Sequence, residues 1–299
     1  MTKKIQFTYN KKKALIIAEI GLTHKGSIKK AKKFIDKCVS AGADVVKFQT
    51  HFAESESTFD EPFRVSIEKK YKNRFDYWNK TAFTINEWSK IIDYCKKKNI
   101  IFQTSPFSVD AVNRLRKLGC VNWKLGSGEV FDYEIFDSIL KKKDSLVISS
   151  GLSTFSDIKK QYNYIRKKTN NFAILQCTSS YPCELKNVGL NIIKKMKNYF
   201  NCPVGLSDHT GIIFSSLSAI AIGAKVIEVH VCESKKDKGP DTTSSITFDE
   251  LKFLVDFNNS LDFFTKSKIN KEKLSEKQKK LKVIFTKSLS LKRNMKKGE

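Results

Sequence analysis

The chain has 299 residues, 40% of them hydrophobic, enough for one large core and within the size that α/β barrels reach as a single domain. No apolar run approaches the roughly 20 residues of a membrane span, and the N-terminal MTKKIQFTYNKKK lacks the apolar stretch of a secretory signal, so a cytoplasmic protein is expected. The formal charge of +25 comes from lysines spread over almost every helical segment, without a signature for DNA or RNA recognition, and reads as a basic surface whose field favours small anions over nucleic acid.

Short β-rich runs alternate with segments of helical period, the pattern of repeated βα units around a parallel sheet. Eight strands are predicted: ALIIAEIG (14–21), ADVVKFQT (43–50), IIFQTSPF (100–107), NWKLGSGE (122–129), SLVISSG (145–151), FAILQCTS (172–179), CPVGLSD (202–208) and AKVIEVHV (224–231). After Ser27, the apolar residues Ala31, Phe34, Ile35, Cys38 and Val39 follow helical spacing until Gly42 stops the helix. Thr84 and Glu87 have the spacing of a capping box, with Phe83 and Trp88 placed as its hydrophobic staple. Residues 51–82 form an aromatic and charged insertion longer than an ordinary βα loop, a candidate lid. Residues 266–282 read as a lysine-rich helix or linker, followed by VIFTKSLSLKRNMKKGE. Eight strands with intervening helices predict a (β/α)8 TIM barrel over 1–265, with 266–299 outside it; an open doubly wound sheet, which needs no set strand number, is the alternative. The seven cysteines are scattered, include no CxxC pair and are expected to be buried reduced thiols.

In such a barrel the site is built at the C-terminal ends of the strands, and polar residues accumulate there. In order the ends supply Glu19; Lys47 and Gln49; Thr104 and Ser105; Lys124, Ser127 and Glu129; Ser149 and Ser150; Thr178, Ser179 and Tyr181; Ser207, Asp208 and His209; Glu228 and His230. Lys47 and Lys124 lie in otherwise apolar strands, where a buried cation requires an anion. A bound phosphate or carboxylate would meet that need, with hydroxyls of Ser105, Ser127, Ser149 and Ser207 completing the pocket. A bound anion is the more economical reading; pairing of each lysine with a neighbouring strand-end glutamate is the alternative, and the two are compatible. His209 and His230 end consecutive strands beside Asp208 and Glu228, an arrangement suited to a divalent metal with open positions for a substrate oxygen. His24 and His51 follow strands 1 and 2 at the expected mouth, with no partner assignable.

The segments AEIGLTHKGSIKKAKKFIDKCVSAGADVVKFQTH, TSPFSVDAV, WKLGSGEV, ISSGLST, LQCTSSYP, VGLSDHTG, VIEVHV and GPDTTSS, in this order, closely resemble the sialic acid synthase family, which makes N-acetylneuraminate and related nonulosonates. The resemblance runs from about residue 14 to the end. It implies a (β/α)8 barrel that condenses phosphoenolpyruvate with an N-acylated amino sugar, using Mn2+ or Mg2+, in a homodimer. By the same resemblance Lys47, Ser105, Lys124, Ser127, Ser149 and Ser207 hold phosphoenolpyruvate, and His209 and His230 ligate the metal. Glu19, Gln49, Ser179, Tyr181 and Asp241 would contact the sugar, with Glu19, Tyr181 and Asp241 also serving catalysis. Glu129 matches the residue that manages protons or water.

Three departures stand out. Thr23-His24-Lys25-Gly26 replaces the family's NHNG, and Ser179 replaces the asparagine of CTNxYP, a change shared with legionaminate and pseudaminate relatives. The family continues into a small antifreeze-like domain after a segment like FTKSLSLKRNMKKGE, where this sequence ends, so a barrel without that domain and with weak activity by itself is expected. Three other functions compete: a Schiff-base aldolase or lyase using Lys47 or Lys124, a phosphoenolpyruvate-binding barrel that has lost catalysis, and nonspecific nucleic-acid binding through the charge.

Overall fold

Each of the eight predicted runs contains a strand: β1 (Leu15–Gly21), β2 (Val45–Thr50), β3 (Ile101–Pro106), β4 (Asn122–Leu125), β5 (Ser145–Ser149), β6 (Phe172–Cys177), β7 (Val204–Asp208) and β8 (Val226–Cys232). The computed structural model describes residues 2–8, 13–63, 71–237, 239–266 and 269–299. Neighbouring strands pair in parallel, and β1 pairs with both β2 and β8, which closes the sheet into a (β/α)8 barrel. A short β9 (Ser245–Thr247), not anticipated from sequence, continues the pairing beyond β1, with His230 opposite Ser245. The open-sheet alternative is excluded by that closure.

The period of two along each strand decides where the site lies. Inward-facing positions begin apolar at the N-terminal end, where Leu15, Ile17, Val45, Val147, Ala173, Leu175 and Val226 form one cluster inside the barrel. Two residues further along the same faces, the chain changes to Glu19, Lys47, Ser149, Cys177 and Glu228, all buried. The opposite faces, such as Ile16, Ala18 and Ile20 of β1, pack in the larger core with the helices. The N-terminal arm, which carries no strand signal, closes the bottom. Ile5 and Phe7 join the inner cluster, their N–H groups donating to the Asn122 and Asn171 side chains at 2.8 and 2.9 Å.

The helices start and stop where their end residues direct. Ser27 caps Ile28–Ala41 and Gly42 ends it with φ of 83°; Val39 lies at the margin of the core, whereas Ala31, Phe34, Ile35 and Cys38 are buried. Thr84 and Glu87 form the predicted capping box of Ile85–Lys97, and the Phe83 and Trp88 rings meet edge-on at 5.2 Å. All seven cysteines are free and buried. In the insertion expected as a lid, residues 64–70 lie outside the described residues; in the rest, the helix Arg74–Thr81 buries Tyr77 and Trp78 against Leu22 and Ala53.

The chain divides into two compact units, Met1–Asp262 and Phe263–Glu299. Of the lysine-rich stretch, residues 267–268 lie outside the described residues. The second unit contains the helix Glu276–Phe285, begun by a capping box of Ser275 and Gln278, with Val283, Ile284 and Phe285 exposed.

His24 is not at the mouth. It is buried, stacked on Phe83 at 4.3 Å, and its Nδ1 accepts from the Gly26 N–H at 3.1 Å while Nε2 has no hydrogen-bond partner. Burial above all, then Lys30 and His51, lowers its pKa from 6.5 to about 3. Between these two values the unfolded chain binds a proton that the folded chain refuses, so stability falls as pH drops below 6.5. From pH 7 to pH 5 this group is expected to remove about 2 kcal/mol. The measurement is urea unfolding of the wild type and of His24→Asn, which keeps an acceptor for Gly26. An equal pH slope in both would show that His24 is not the source.

Candidate active site

Where β1, β2, β4 and β8 leave the apolar interior, four ionised side chains meet. Lys47 forms an ion pair with Glu19, donates to Ser105 Oγ at 3.2 Å and lies 3.8 Å from Glu228 Oε2. Lys124 Nζ is 3.6 Å from Glu228 Oε1, which also accepts from Ser207 Oγ at 2.9 Å. These four side chains are at most 5% exposed. Two cations and two anions balance, so the two lysines pair with strand-end glutamates, the second of the readings that the residues left open. Desolvation alone would raise the Glu228 pKa, yet Lys124, Lys47 and the Ser207 hydrogen bond outweigh it and bring the value down to about 2. Burial draws Lys47 down to about 8, opposed by Glu228, which leaves it an ammonium at neutral pH. Glu228, expected as a strand-end carboxylate beside the histidine pair, is one of the glutamates that pair with the lysines, and it lies in register with Ser207.

A second group gathers at Gly21, in the left-handed region with φ of 54°. A Cβ at this position would lie 3.3 Å from Glu19 Oε1 and 3.5 Å from both Asp241 Oδ2 and Gln49 Nε2. The lack of a side chain thus leaves room where three of the predicted sugar contacts converge.

A third group surrounds Gly151, whose N–H donates to Ser127 Oγ at 2.9 Å. A Cβ here would run into the hydroxyls of Ser127 and Ser179 and come within 3.1 Å of Cys177 Sγ. Ser127 and Glu129, expected at the end of a strand, instead occupy the turn after β4, which stops at Leu125. The Glu129 carboxylate folds back over Gly126, where a Cβ would be 2.6 Å from Oε2. Cys177, anticipated only as an inert core thiol, belongs to this group: it lies 3.7 Å from Ser127 Oγ and 3.9 Å from His209 Nδ1. Ser149 Oγ is buried without a hydrogen-bond partner, a hydroxyl suited to an added acceptor or donor.

The histidine pair completes the rim. The rings of His209 and His230 are 5.4 Å apart, and Tyr181 stacks on His209 at 4.2 Å and meets His230 edge-on at 6.2 Å. His209 Nδ1 lies 3.0 Å from the Thr178 carbonyl, which makes Nδ1 the donor and, in the neutral ring, leaves Nε2 as the lone pair. Burial, His209 and Lys47 push the His230 pKa well below the ordinary imidazole value, so this ring is neutral, the form that ligates a metal. Burial opposes the charge on His209 too, but contacts with Cys177 and the Thr178 carbonyl turn its shift upward. Asp208, expected beside the metal pair, is a correction. Its carboxylate accepts from the hydroxyls of Ser215 and, at 2.7 Å, Ser216 at the start of the helix Phe214–Ala221, and from the Thr210 N–H at 2.9 Å, so it holds the start of that helix and not the pair.

The donor set suits a divalent metal in one form only. Among the described residues, no group of three or more His, Cys, Asp or Glu side chains is placed to hold an ion. The two imidazoles, with Asp241 Oδ2 3.9 Å from His230 Nδ1, would leave the remaining positions to a substrate and water. The groups are continuous: Glu19 joins the lysine cluster to Gly21, Asp241 joins Gly21 to the histidines, and Cys177 joins the histidines to the Gly151 group.

The profile of the NeuB family matches residues 34–269. An N,N'-diacetyllegionaminic acid synthase of Campylobacter jejuni is 34% identical over 294 residues, covering 96% of this chain and 87% of the relative. A pseudaminic acid synthase of the same species is 32% identical, covering 96% of this chain and 84% of the relative. Among solved structures, the N-acetylneuraminic acid (sialic acid) synthetase of Leptospira borgpetersenii serovar Hardjo-bovis, in complex with citrate, superposes with a TM-score of 0.77 at 26% identity, over 95% of this chain and 96% of that one.

Proposed function

The chain belongs to the NeuB family, and on that premise we propose that it is a nonulosonate synthase, condensing phosphoenolpyruvate with an N-acylated amino hexose and releasing phosphate by C–O cleavage. The observation that carries this reading is the continuity of the site. A cluster of two buried lysines paired with two glutamates, a polar recess at Gly21 and a pair of imidazoles share one end of the barrel.

In this reading Lys47 and Lys124, with Ser105, Ser127, Ser149 and Ser207, bind phosphoenolpyruvate, whose oxygens take over contacts that Glu19 and Glu228 make in the free site. Glu19, Gln49, Ser179, Tyr181 and Asp241 orient the amino sugar. A divalent ion, Mn2+ or Mg2+, held by His209 and His230 would supply Lewis acidity at the sugar aldehyde. C3 of phosphoenolpyruvate forms the bond to the aldehyde carbon, whose oxygen takes a proton, and positive charge develops at C2. Glu19 and Glu228 provide buried negative charge near that centre. Glu129 takes a proton from the water that adds to C2, which makes good the proton gained by the sugar oxygen; the new C2 hydroxyl then gives its proton to the phosphate as the C2–O bond breaks, a C2 carbonyl forms and the lysines stabilise the departing anion. No lysine forms a Schiff base. Ser179, with the legionaminic and pseudaminic acid synthases among the relatives, supports a diacetamido-trideoxyhexose as the acceptor. No helix among the described residues is long and apolar enough to cross a membrane. A homodimer is part of the proposal on the resemblance to the family, and a cytoplasmic location on the composition of the sequence.

The test is phosphate release from phosphoenolpyruvate by the purified chain, with and without Mn2+, across N-acetylmannosamine and the diacetamido-trideoxyhexoses. Release that requires both the metal and one sugar is expected. Metal-independent turnover with a borohydride-trapped pyruvate adduct on Lys47 or Lys124 would establish the aldolase instead, and saturable phosphoenolpyruvate binding without release from any sugar would reject synthase activity.

A further inference from the structure

We propose that His51 is a positioning residue for the sugar side of the site: clamped between Trp78 and Phe107 and anchored on Glu56, it holds the Gln49 amide with its NH2 group turned toward Gly21. This rests on the synthase reading for its consequence in catalysis, but its geometry stands apart from it.

His51 follows β2 on the same side as Lys47 and Gln49, by the alternation of the strand. It is buried, and the source of its burial is aromatic. Its ring lies 4.8 Å from Trp78 at an interplanar angle of 13° and 4.2 Å from Phe107 at 12°. Two near-parallel faces fix the plane of the imidazole. Rotation within that plane is fixed by Glu56, whose carboxylate oxygens lie 3.0 and 3.2 Å from Nδ1. The clamp has an outer layer as well, since the Arg74 guanidinium covers Trp78 at 4.2 Å while pairing with Glu61. Glu56, Trp78 and Phe107 come from three different segments, so this is a built arrangement that sequence order did not disclose.

With plane and rotation set, Nε2 has one direction left, and it reaches Gln49 Oε1 at 3.4 Å. In this arrangement Nδ1 faces the Glu56 carboxylate and Nε2 faces the Gln49 amide oxygen. A primary amide can turn over at little cost and exchange its acceptor for its donor. Holding Oε1 against His51 removes that freedom and leaves Nε2 of Gln49 at Gly21, beside Glu19 and Asp241. The site then offers a fixed donor between two carboxylates, an arrangement suited to an N-acyl carbonyl or a sugar hydroxyl.

The test combines kinetics with a readout that needs no turnover. In steady-state phosphate release, Gln49→Ala and His51→Ala are each expected to raise KM for the amino sugar about tenfold, the value of one hydrogen bond, with KM for phosphoenolpyruvate changed less than about twofold. The double variant should be no worse than Gln49→Ala alone, because His51 acts through Gln49. Additive losses, an unchanged sugar KM, or equal shifts in both KM values would overturn the proposal. If circular dichroism shows that His51→Ala does not fold, Glu56→Ala takes its place with the same expected pattern. The independent arm is the side-chain NH2 resonance pair of Gln49 in 15N-labelled protein, assigned by its loss in Gln49→Ala. It should move toward the free-amide position in His51→Ala or Glu56→Ala; an unmoved pair overturns the proposal. A wild type that releases no phosphate with any sugar, but whose Gln49 resonances respond in this way, would sink the synthase reading and leave the positioning of Gln49 standing.

Discussion

Glu228→Gln is expected to destabilise the barrel by about 3–5 kcal/mol, more than any other conservative change in the site, because it leaves two buried ammonium groups with one counter-charge between them. The carboxylate lies between Lys47 at 3.8 Å and Lys124 at 3.6 Å, and all three side chains are at most 5% exposed. Glutamine keeps the size and the Ser207 hydrogen bond, so the loss reports charge and not a cavity. The two lysines are not equally affected. Lys47 retains Glu19, whereas Lys124 retains its contact to the Leu125 carbonyl at 3.3 Å. Lys124→Met in the Glu228→Gln background should therefore recover a large part of the loss, a coupling of opposite sign to the single effects. Phosphoenolpyruvate should also raise the melting temperature of Glu228→Gln more than that of the wild type, since the anion then supplies the missing charge. The check is chemical denaturation of the four proteins of the cycle. A loss under about 1 kcal/mol, additive with Lys124→Met, would mean that the four charges do not depend on one another.

That cluster also marks the boundary of what the sequence disclosed. The barrel was legible because its signals are local and repeated: strand runs of one length, helical spacing after Ser27, the capping box of Thr84 and Glu87. The location of the site followed from the same pattern, since each inward face changes from residues such as Val45 and Val147 to Lys47 and Ser149 within two positions. Partners were not legible, because a partner is decided by register between strands distant in the chain. Whether Lys47 met a ligand or a glutamate depended on the pairing of Glu19 with Lys47 and of Ser207 with Glu228. Asp208 shows the reverse error. One residue from His209, it looked like part of a metal site, but alternation along β7 turns it to the opposite face, where Ser215 and Ser216 await it. The N-terminal arm escaped notice because two apolar residues, Ile5 and Phe7, carry no period, and their role appears only against the asparagines at the barrel's base. His51 was invisible for a similar reason, its clamp being assembled from separate segments.

His230→Ala should weaken Mn2+ binding by at least about a hundredfold and lower kcat roughly a thousandfold, the consequence of losing about 4 kcal/mol of transition-state stabilisation. The expectation follows from how few donors the pair has to spare. With no third His, Cys, Asp or Glu placed to ligate among the described residues, losing one imidazole leaves a single protein donor. Tyr181 stacked on His209, and the Thr178 carbonyl on its Nδ1, would still orient the survivor but could not replace the missing lone pair. Asp208→Asn serves as the contrast. Its partners are Ser215, Ser216 and Thr210, so it should lower stability while leaving the affinity for Mn2+ within about threefold of the wild type. The free-ion signal of Mn2+ in electron paramagnetic resonance measures binding without turnover, and chelation of the wild type followed by Mn2+ addition measures the same dependence in activity. Should His230→Ala bind Mn2+ like the wild type, or the chelated wild type release phosphate undiminished, the two histidines would be hydrogen-bonding residues of the sugar pocket and the aldehyde would have to be activated by a proton, with Asp241 as the nearest acid to His230.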